Sequence, residues 1–164
     1  DQPAPALKTP TDLKRNDTRT VADALHGILA DSFALYLKTK NFHWHVSGPH
    51  FRDYHLLMDD QAADILATTD DIAERVRKIG GTTLRSIGDI ARRQTIADND
   101  ADFVRPEAML AELRDDNLTL IERLRDAKEV VDEARDNATS GMLDTWTDAA
   151  EKRAWFLFEA GRKD

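Results

Sequence analysis

Four of the five histidines in this chain lie within KNFHWHVSGPHFRDYH, residues 40–55: His43, His45, His50 and His55. Imidazoles at this density invite a metal. Carboxylates follow at helical spacing, Asp59 four residues after His55 and Glu74 four residues after Asp70. Imidazole nitrogen with carboxylate oxygen is a mixed donor set that suits iron, and zinc or manganese less selectively. Fe(II) held there with open positions could pass electrons to peroxide or dioxygen. The histidines are not equivalent. His45 lies about 200° around a helix from His43 and cannot share its site while the chain stays helical. His50 falls in a turn, where capping and surface roles are commoner than ligation, and His26 is placed mid-helix as a packing or surface residue.

The carboxylates sort by angle. With His55 at zero and about 100° per residue, Asp59 falls near 40°, Asp70 near 60° and Glu74 near 100°. Met58, Ile65, Ile72, Val76 and Ile79 fall near 240–300°, a core face, and Asp53, Asp60, Asp64, Asp71 and Lys78 near 140–180°, a solvated face. The helix therefore has three faces, and the third carries His55, Asp59, Asp70 and Glu74 with Ala63 and Leu66 among them. Unpaired carboxylates on an apolar-flanked face are costly. Along the axis, Asp59 and Asp70 stand about 16 Å apart, too far for one ion. The two pairs meet only if a second copy of the helix lies antiparallel, about a twofold axis near residues 64–65, in an isologous dimer with two equivalent sites. His43 reaches the same place once the Ser47-Gly48-Pro49 turn reverses the chain. The same spacing also describes ordinary intrahelical pairs at a dimer seam that binds no metal, and the residues alone leave both readings open.

The elements that must carry these residues are helices. Residues 1–16 have no apolar periodicity and read as a flexible arm with a formal charge of about +1. A first helix starts near Asp17 or Thr18 and runs to about His45, with apolar positions Val21, Leu25, Ile28, Leu29, Phe33, Leu35 and Leu37. A second runs from near His50 to the Gly80-Gly81 stop. SIGDIARR, 86–93, is a short connecting helix. Pro106 opens the third long helix, with Met109, Leu110, Leu113, Leu120, Ile121, Leu124 and Val131 inward. Ser140-Gly141 precedes the last, with Met142, Leu143, Trp146, Ala150, Ala154 and Leu157 inward. Four long amphipathic helices make an all-α four-helix bundle over residues 17–160, with a short extra helix between the second and third and a tail at 161–164.

Composition narrows the chemistry further. A chain of 164 residues is one domain's worth. It has no cysteine, so disulfides and thiolate metal sites are excluded. No apolar run approaches the ~18–20 residues that span a bilayer. No signal peptide is visible, but the chain begins at Asp1 without Met, so its true N-terminus stays open; a cytoplasmic location is the expectation. The net charge of −8 repels nucleic acid and attracts metal cations. HExxH, ExxH, P-loop and GxGxxG motifs are all missing, so neither a zincin site nor a di-iron site inside a single bundle has support.

Residues 40–81 resemble the Dps family, the miniferritins, DNA-protection proteins of starved cells within the ferritin-like superfamily. The resemblance rests on KNFHWHVSGPHF, on HLLMD and on DDIAERVRKIGG, and the helix pattern with the closing WFL at 155–157 extends it over about residues 17–160. It implies intersubunit ferroxidase ligands at His43, His55 and Asp59 of one subunit and at Asp70 and Glu74 of its twofold mate, with Trp44 beside the iron. It also implies a hollow dodecamer that oxidises Fe(II), preferentially with hydrogen peroxide, and stores the ferric mineral; zinc or other divalent metals can take the same ligands. Such a cage of twelve chains would carry about −96.

Two departures from the family pattern stand out. The stretch Asp136-Asn137-Ala138-Thr139 matches the family's iron-entry pore motif, but Gly141 replaces its second acid; Asp136 remains the pore candidate, with Asp132 and Asp144 as possible helpers. Many members bind DNA through lysine-rich tails, whereas this arm is nearly neutral and the C-terminal GRKD is short. Since phosphate contacts dominate non-specific affinity, weak or no DNA binding is expected. The alternative function is a DNA-compacting nucleoid protein in which iron handling is secondary.

Overall fold

The computed structural model describes residues 4–163. Its elements are a 3-10 turn at Pro5–Leu7, then α1 (Arg15–His45), α2 (Phe51–Lys78), α3 (Ile87–Arg93), α4 (Pro106–Glu133) and α5 (Asn137–Ala160). Among the described residues every regular element is helical. Helix α1 packs along α2 and α4 along α5, and α1 against α4 joins the two hairpins. The connection from α2 to α4 is long and carries α3, as the pattern of apolar residues predicts.

The core is built from the expected stripes. Met58, Ile65, Ile72, Val76 and Ile79 are buried, and so are all seven inward positions of α4. At roughly 25 cal/mol per Å² of apolar surface, each such Leu or Ile contributes about 1.5–3 kcal/mol. Leu37 departs from expectation: it is 58% exposed. Spacings of three and four share two adjacent stripes of α1, and Leu37 falls with Trp44, one heptad on, on the stripe facing away from α4.

The turns follow backbone chemistry. Gly48 ends the α1–α2 hairpin at φ 121° and Gly80 ends α2 at φ 94°, a region side chains rarely adopt. A Cβ on Gly80 would also stand 3.2 Å from the Thr9 carbonyl. That contact fixes where the leading segment lies. Residues 4–14 run against this end of the α1–α2 hairpin, and Leu13 packs on the core. Residues 1–3 of the expected arm and Asp164 of the expected tail lie outside the described residues. Helix α1 begins at Arg15, two residues before Asp17. Helix α5 begins earlier than Ser140-Gly141, because Asp136 caps it by accepting from the Thr139 amide, and Gly141 is accommodated within the helix.

The long connection is tied to α1 in register. Buried Asp31 accepts from the Thr95 amide (2.6 Å), the Thr95 hydroxyl (2.7 Å) and the Ile96 amide (2.9 Å). Further along, Lys38 Nζ donates to the Ala97 carbonyl at 2.8 Å and Asn41 Nδ2 to the Asn99 carbonyl at 3.0 Å. The connection is thus held along α1 up to the turn before His43. Replacing Asp31 by Ala strands two amides and a hydroxyl. The expected cost is about 3 kcal/mol in urea unfolding, and a loss under ~1 kcal/mol would show that the clamp contributes little.

Candidate metal centre

His43 closes α1 and His55 opens the second turn of α2. The intervening turn brings them face to face, their rings stacked with centroids 3.8 Å apart and planes 13° apart. The pair is locked reciprocally. His43 Nδ1 donates to the His55 carbonyl and His55 Nδ1 to the His43 carbonyl, both at 2.7 Å. A carbonyl can only accept, so each Nδ1 carries a proton. In the neutral ring each Nε2 then presents a lone pair, the form a metal ligand needs. One lock sets tautomer and orientation for both rings. Phe51 covers the other side of His55 at 4.9 Å.

Asp59 completes the group on this chain. Its Oδ1 lies 3.7 Å from His43 Nε2 and 2.9 Å from Lys40 Nζ. The Lys40 ammonium, by hydrogen bonding and charge, holds the Asp59 carboxyl below the usual carboxylate range. Lys40 is the residue that the search for ligands overlooked. The available signal was its position, one turn before His43 on the same side of α1.

Asp70 and Glu74 are exposed and make no hydrogen bond or ion pair within the described residues. They sit farther along α2 and do not converge with His43, His55 and Asp59. Among the described residues no three His, Asp or Glu side chains enclose a metal. The stripe therefore carries His55 and Asp59, with His43 against them, at one end and Asp70 and Glu74 at the other. The surface between is apolar: Ala63, Leu66 and Ala67 are exposed on α2, Leu37 and Trp44 on α1. Trp44 is 57% exposed, with the Lys40 ammonium 6.0 Å from its ring.

The remaining candidates have other tasks. His45 Nδ1 bonds to Asn41 at 2.8 Å, and His50 stands at the head of α2 tilted against Tyr54. His26 donates from Nε2 to the Thr82 carbonyl, far from His43. Asp136, expected at a pore, is only 5% exposed in this chain. Its carboxylate accepts from Arg75 Nη2 at 3.0 Å and from the amide and hydroxyl of Thr139. It caps α5 and ties it to α2. Asp132 accepts from the Ser140 hydroxyl, and Asp144 pairs with Lys128 at 2.9 Å.

A helical bundle with a long second connection, bearing imidazole and carboxylate on an open apolar face, has the construction of the ferritin-like class. The model of the ferritin-like domain matches residues 22–160. The chain is 33% identical over 145 residues to DNA protection during starvation protein 1 of Deinococcus radiodurans, covering 88% of this chain and 70% of that one. It is 32% identical over 145 residues to the DNA protection during starvation protein of Brevibacillus brevis, covering 88% and 97%. DpsC from Streptomyces coelicolor superposes with a TM-score of 0.92 at 26% identity, covering 96% of this chain and 92% of that one. The chain belongs to the Dps family of ferritin-like proteins.

The ammonium of Lys40 competes with any cation for Asp59. Lys40→Gln is expected to tighten Zn(II) or Co(II) binding about threefold at ~0.1 M salt, read by calorimetry on the assembled protein. Unchanged or weaker binding would show that Lys40 does not compete.

Proposed function

We propose that the protein oxidises Fe(II), preferentially with hydrogen peroxide, at sites shared across a twofold interface, and stores the ferric product in a hollow dodecamer. His43, His55 and Asp59 of one subunit and Asp70 and Glu74 of its mate would be the ligands. The observation that carries this reading is the divided ligand set. Two locked imidazoles with Nε2 lone pairs stand at one end of the stripe, two carboxylates without a partner among the described residues at the other, and an exposed apolar strip joins them.

The residues fit iron as a substrate. Two nitrogens and three carboxylates give a mixed shell that accepts Fe(II) and retains the harder Fe(III). Lys40 leaves Asp59 as the cation arrives, and Trp44 at the rim limits water. The redox balance is simple. Two Fe(II) each give one electron to one H2O2, the O–O bond breaks, and with two protons the products are two Fe(III) and two waters. Iron and peroxide are consumed together, so less hydroxyl radical forms. The same ligands also accept zinc, which would inhibit by occupying the site. Protection of DNA follows from this removal, in the cytoplasm or at the nucleoid; among the described residues no helix is long and apolar enough to cross a membrane.

Subunit mixing tests the division of the site. His43→Ala and Glu74→Ala chains are each expected to lose fast peroxide-driven oxidation. Co-assembled in equal amounts, half of their twofold pairs are mixed, and each mixed pair contains one intact site. About a quarter of wild-type activity should therefore return. No recovery in assembled mixtures would mean that the ligands belong to one chain or are wrongly assigned.

DNA compaction is the second reading, favoured by the names of the two relatives and opposed by charge. The chain carries −8, and counterion release needs clustered cations on the protein. In a mobility-shift assay retardation should be weak at low salt and lost by ~0.15 M. Retardation that survives that salt would make compaction the leading reading.

A further inference from the structure

The end of the molecule away from His43 and His55 holds a cleft of about 1300 Å³. It lies between the leading segment, the start of α1 and the Gly80–Ser86 loop running into α3. Ile79 on its wall is twenty residues beyond Asp59, about 30 Å along α2. The cleft therefore lies well away from His43, His55 and Asp59.

Its lining is cationic on a chain that is otherwise acidic. Lys8 comes from the leading segment, Arg15 and Arg19 from α1, Arg85 from the loop, and Arg92 and Arg93 from α3. The acids are Asp23 and Asp89, and Asp89 is taken by Arg93 at 3.1 Å and Arg92 at 3.5 Å. A second, independent feature lies inside. Thr18 Oγ1, Thr83 Oγ1 and His26 Nδ1 are buried without hydrogen-bond partners among the described residues, and all three residues line this cleft. His26 already donates from Nε2 to the Thr82 carbonyl at 2.7 Å, and Asp23 is 3.9 Å from Nδ1, beyond hydrogen-bond reach. Buried polar atoms almost always find partners. Three orphans in one cleft, under a rim of cations, describe a polar anionic occupant.

We propose that this cleft binds the phosphate chain of a small molecule. Guanidinium forks arriving from three elements suit an anion with several oxygens better than a single carboxylate. The threonine hydroxyls can donate to those oxygens. His26 Nδ1 can accept from a protonated phosphate oxygen, or donate when the ring is charged. The volume exceeds one phosphate, which favours a linked chain. That chain is either inorganic or the tail of a nucleotide.

Calorimetry on the metal-free assembled protein at ~0.15 M salt tests this with tripolyphosphate and, in a second arm, ATP. Saturable binding at one site per chain is expected. Equal affinities would assign the site to the phosphate chain alone; tighter ATP would assign it to a nucleotide. Arg85→Ala with Arg92→Ala should weaken binding by about tenfold or more, and Thr83→Val by about threefold. Arg125→Ala, an exposed cation elsewhere, should change nothing. Circular dichroism and gel filtration check folding, and if the arginine pair fails to fold, Thr83→Val carries the test. No saturable binding, binding indifferent to the cleft variants, or retention of duplex DNA without competition by tripolyphosphate would each overturn the proposal.

Discussion

A helix holds its side chains at fixed heights, and α2 cannot shorten the distance between its two ligand pairs. Asp59 and Asp70 stand on one stripe about 16 Å apart. The neighbouring stripe is committed to the core through Met58, Ile65 and Ile72, so α2 cannot rotate its carboxylates inward without exposing that row. One ion cannot take both pairs from the same chain. What remains is a surface that is expensive while bare: exposed Leu66 and Ala63 on α2, exposed Leu37 and Trp44 on α1, and two carboxylates that have no partner among the described residues. Apolar strips with charged ends mark contact surfaces. A twofold copy would cover the strip and bring each carboxylate pair opposite an imidazole pair.

The local chemistry of the half-site comes from helix ends. The His43 carbonyl is among the last four of α1, which lack helical donors. His55 supplies one, and His43 repays it across the turn. One hairpin thus satisfies an orphan carbonyl, fixes two tautomers and aims two lone pairs outward. The turn must be tight for this, and Gly48 at φ 121° is what permits it. Lys40 then balances Asp59 in the absence of a cation. The carboxylate stays ionised, at the cost of a competitor that an incoming metal must displace.

Much of this was legible in the residues. Period and stop signals located the four long helices and the short one between them, because apolar stripes, Gly80-Gly81 and Pro106 act locally. The wheel of α2 separated buried core positions from exposed ones for the same reason. What failed depended on contacts between elements. Leu37 looked like core because spacing does not say which of two adjacent stripes a partner helix covers. Ser140-Gly141 looked like a start signal, but Asp136 caps α5 and is held there by Arg75 from a distant helix. The Arg75 contact of Asp136 likewise joins residues far apart in sequence, and the pore motif gave no sign of it. The stacking of His43 on His55 is a product of the turn, and no spacing rule contains it.

The interior offers a metal no easier place than the proposed site. Two buried cations, Lys38 and Arg153, stand between the helices with their acids. Lys38 lies 2.8 Å from Asp116 and 3.1 Å from Glu112. Arg153 bonds to Asn117 at 2.8 Å and Asp64 at 2.6 Å, and Gln61 donates to the Arg153 carbonyl. Burial pushes the Asp116 carboxyl up despite Lys38, and lowers the Arg153 guanidinium despite Asp64. Both shifts mean that these charges are kept at a cost and depend on each other, so removing either partner is worse than keeping the pair. A metal entering there would have to displace an ammonium or a guanidinium from its only strong partners. At the α2 stripe it displaces Lys40, which is far less buried and can return to water. The interior cations therefore bind the bundle across its helices and leave no easy place there for a metal, whereas the site proposed at the α2 stripe has only Lys40 to displace.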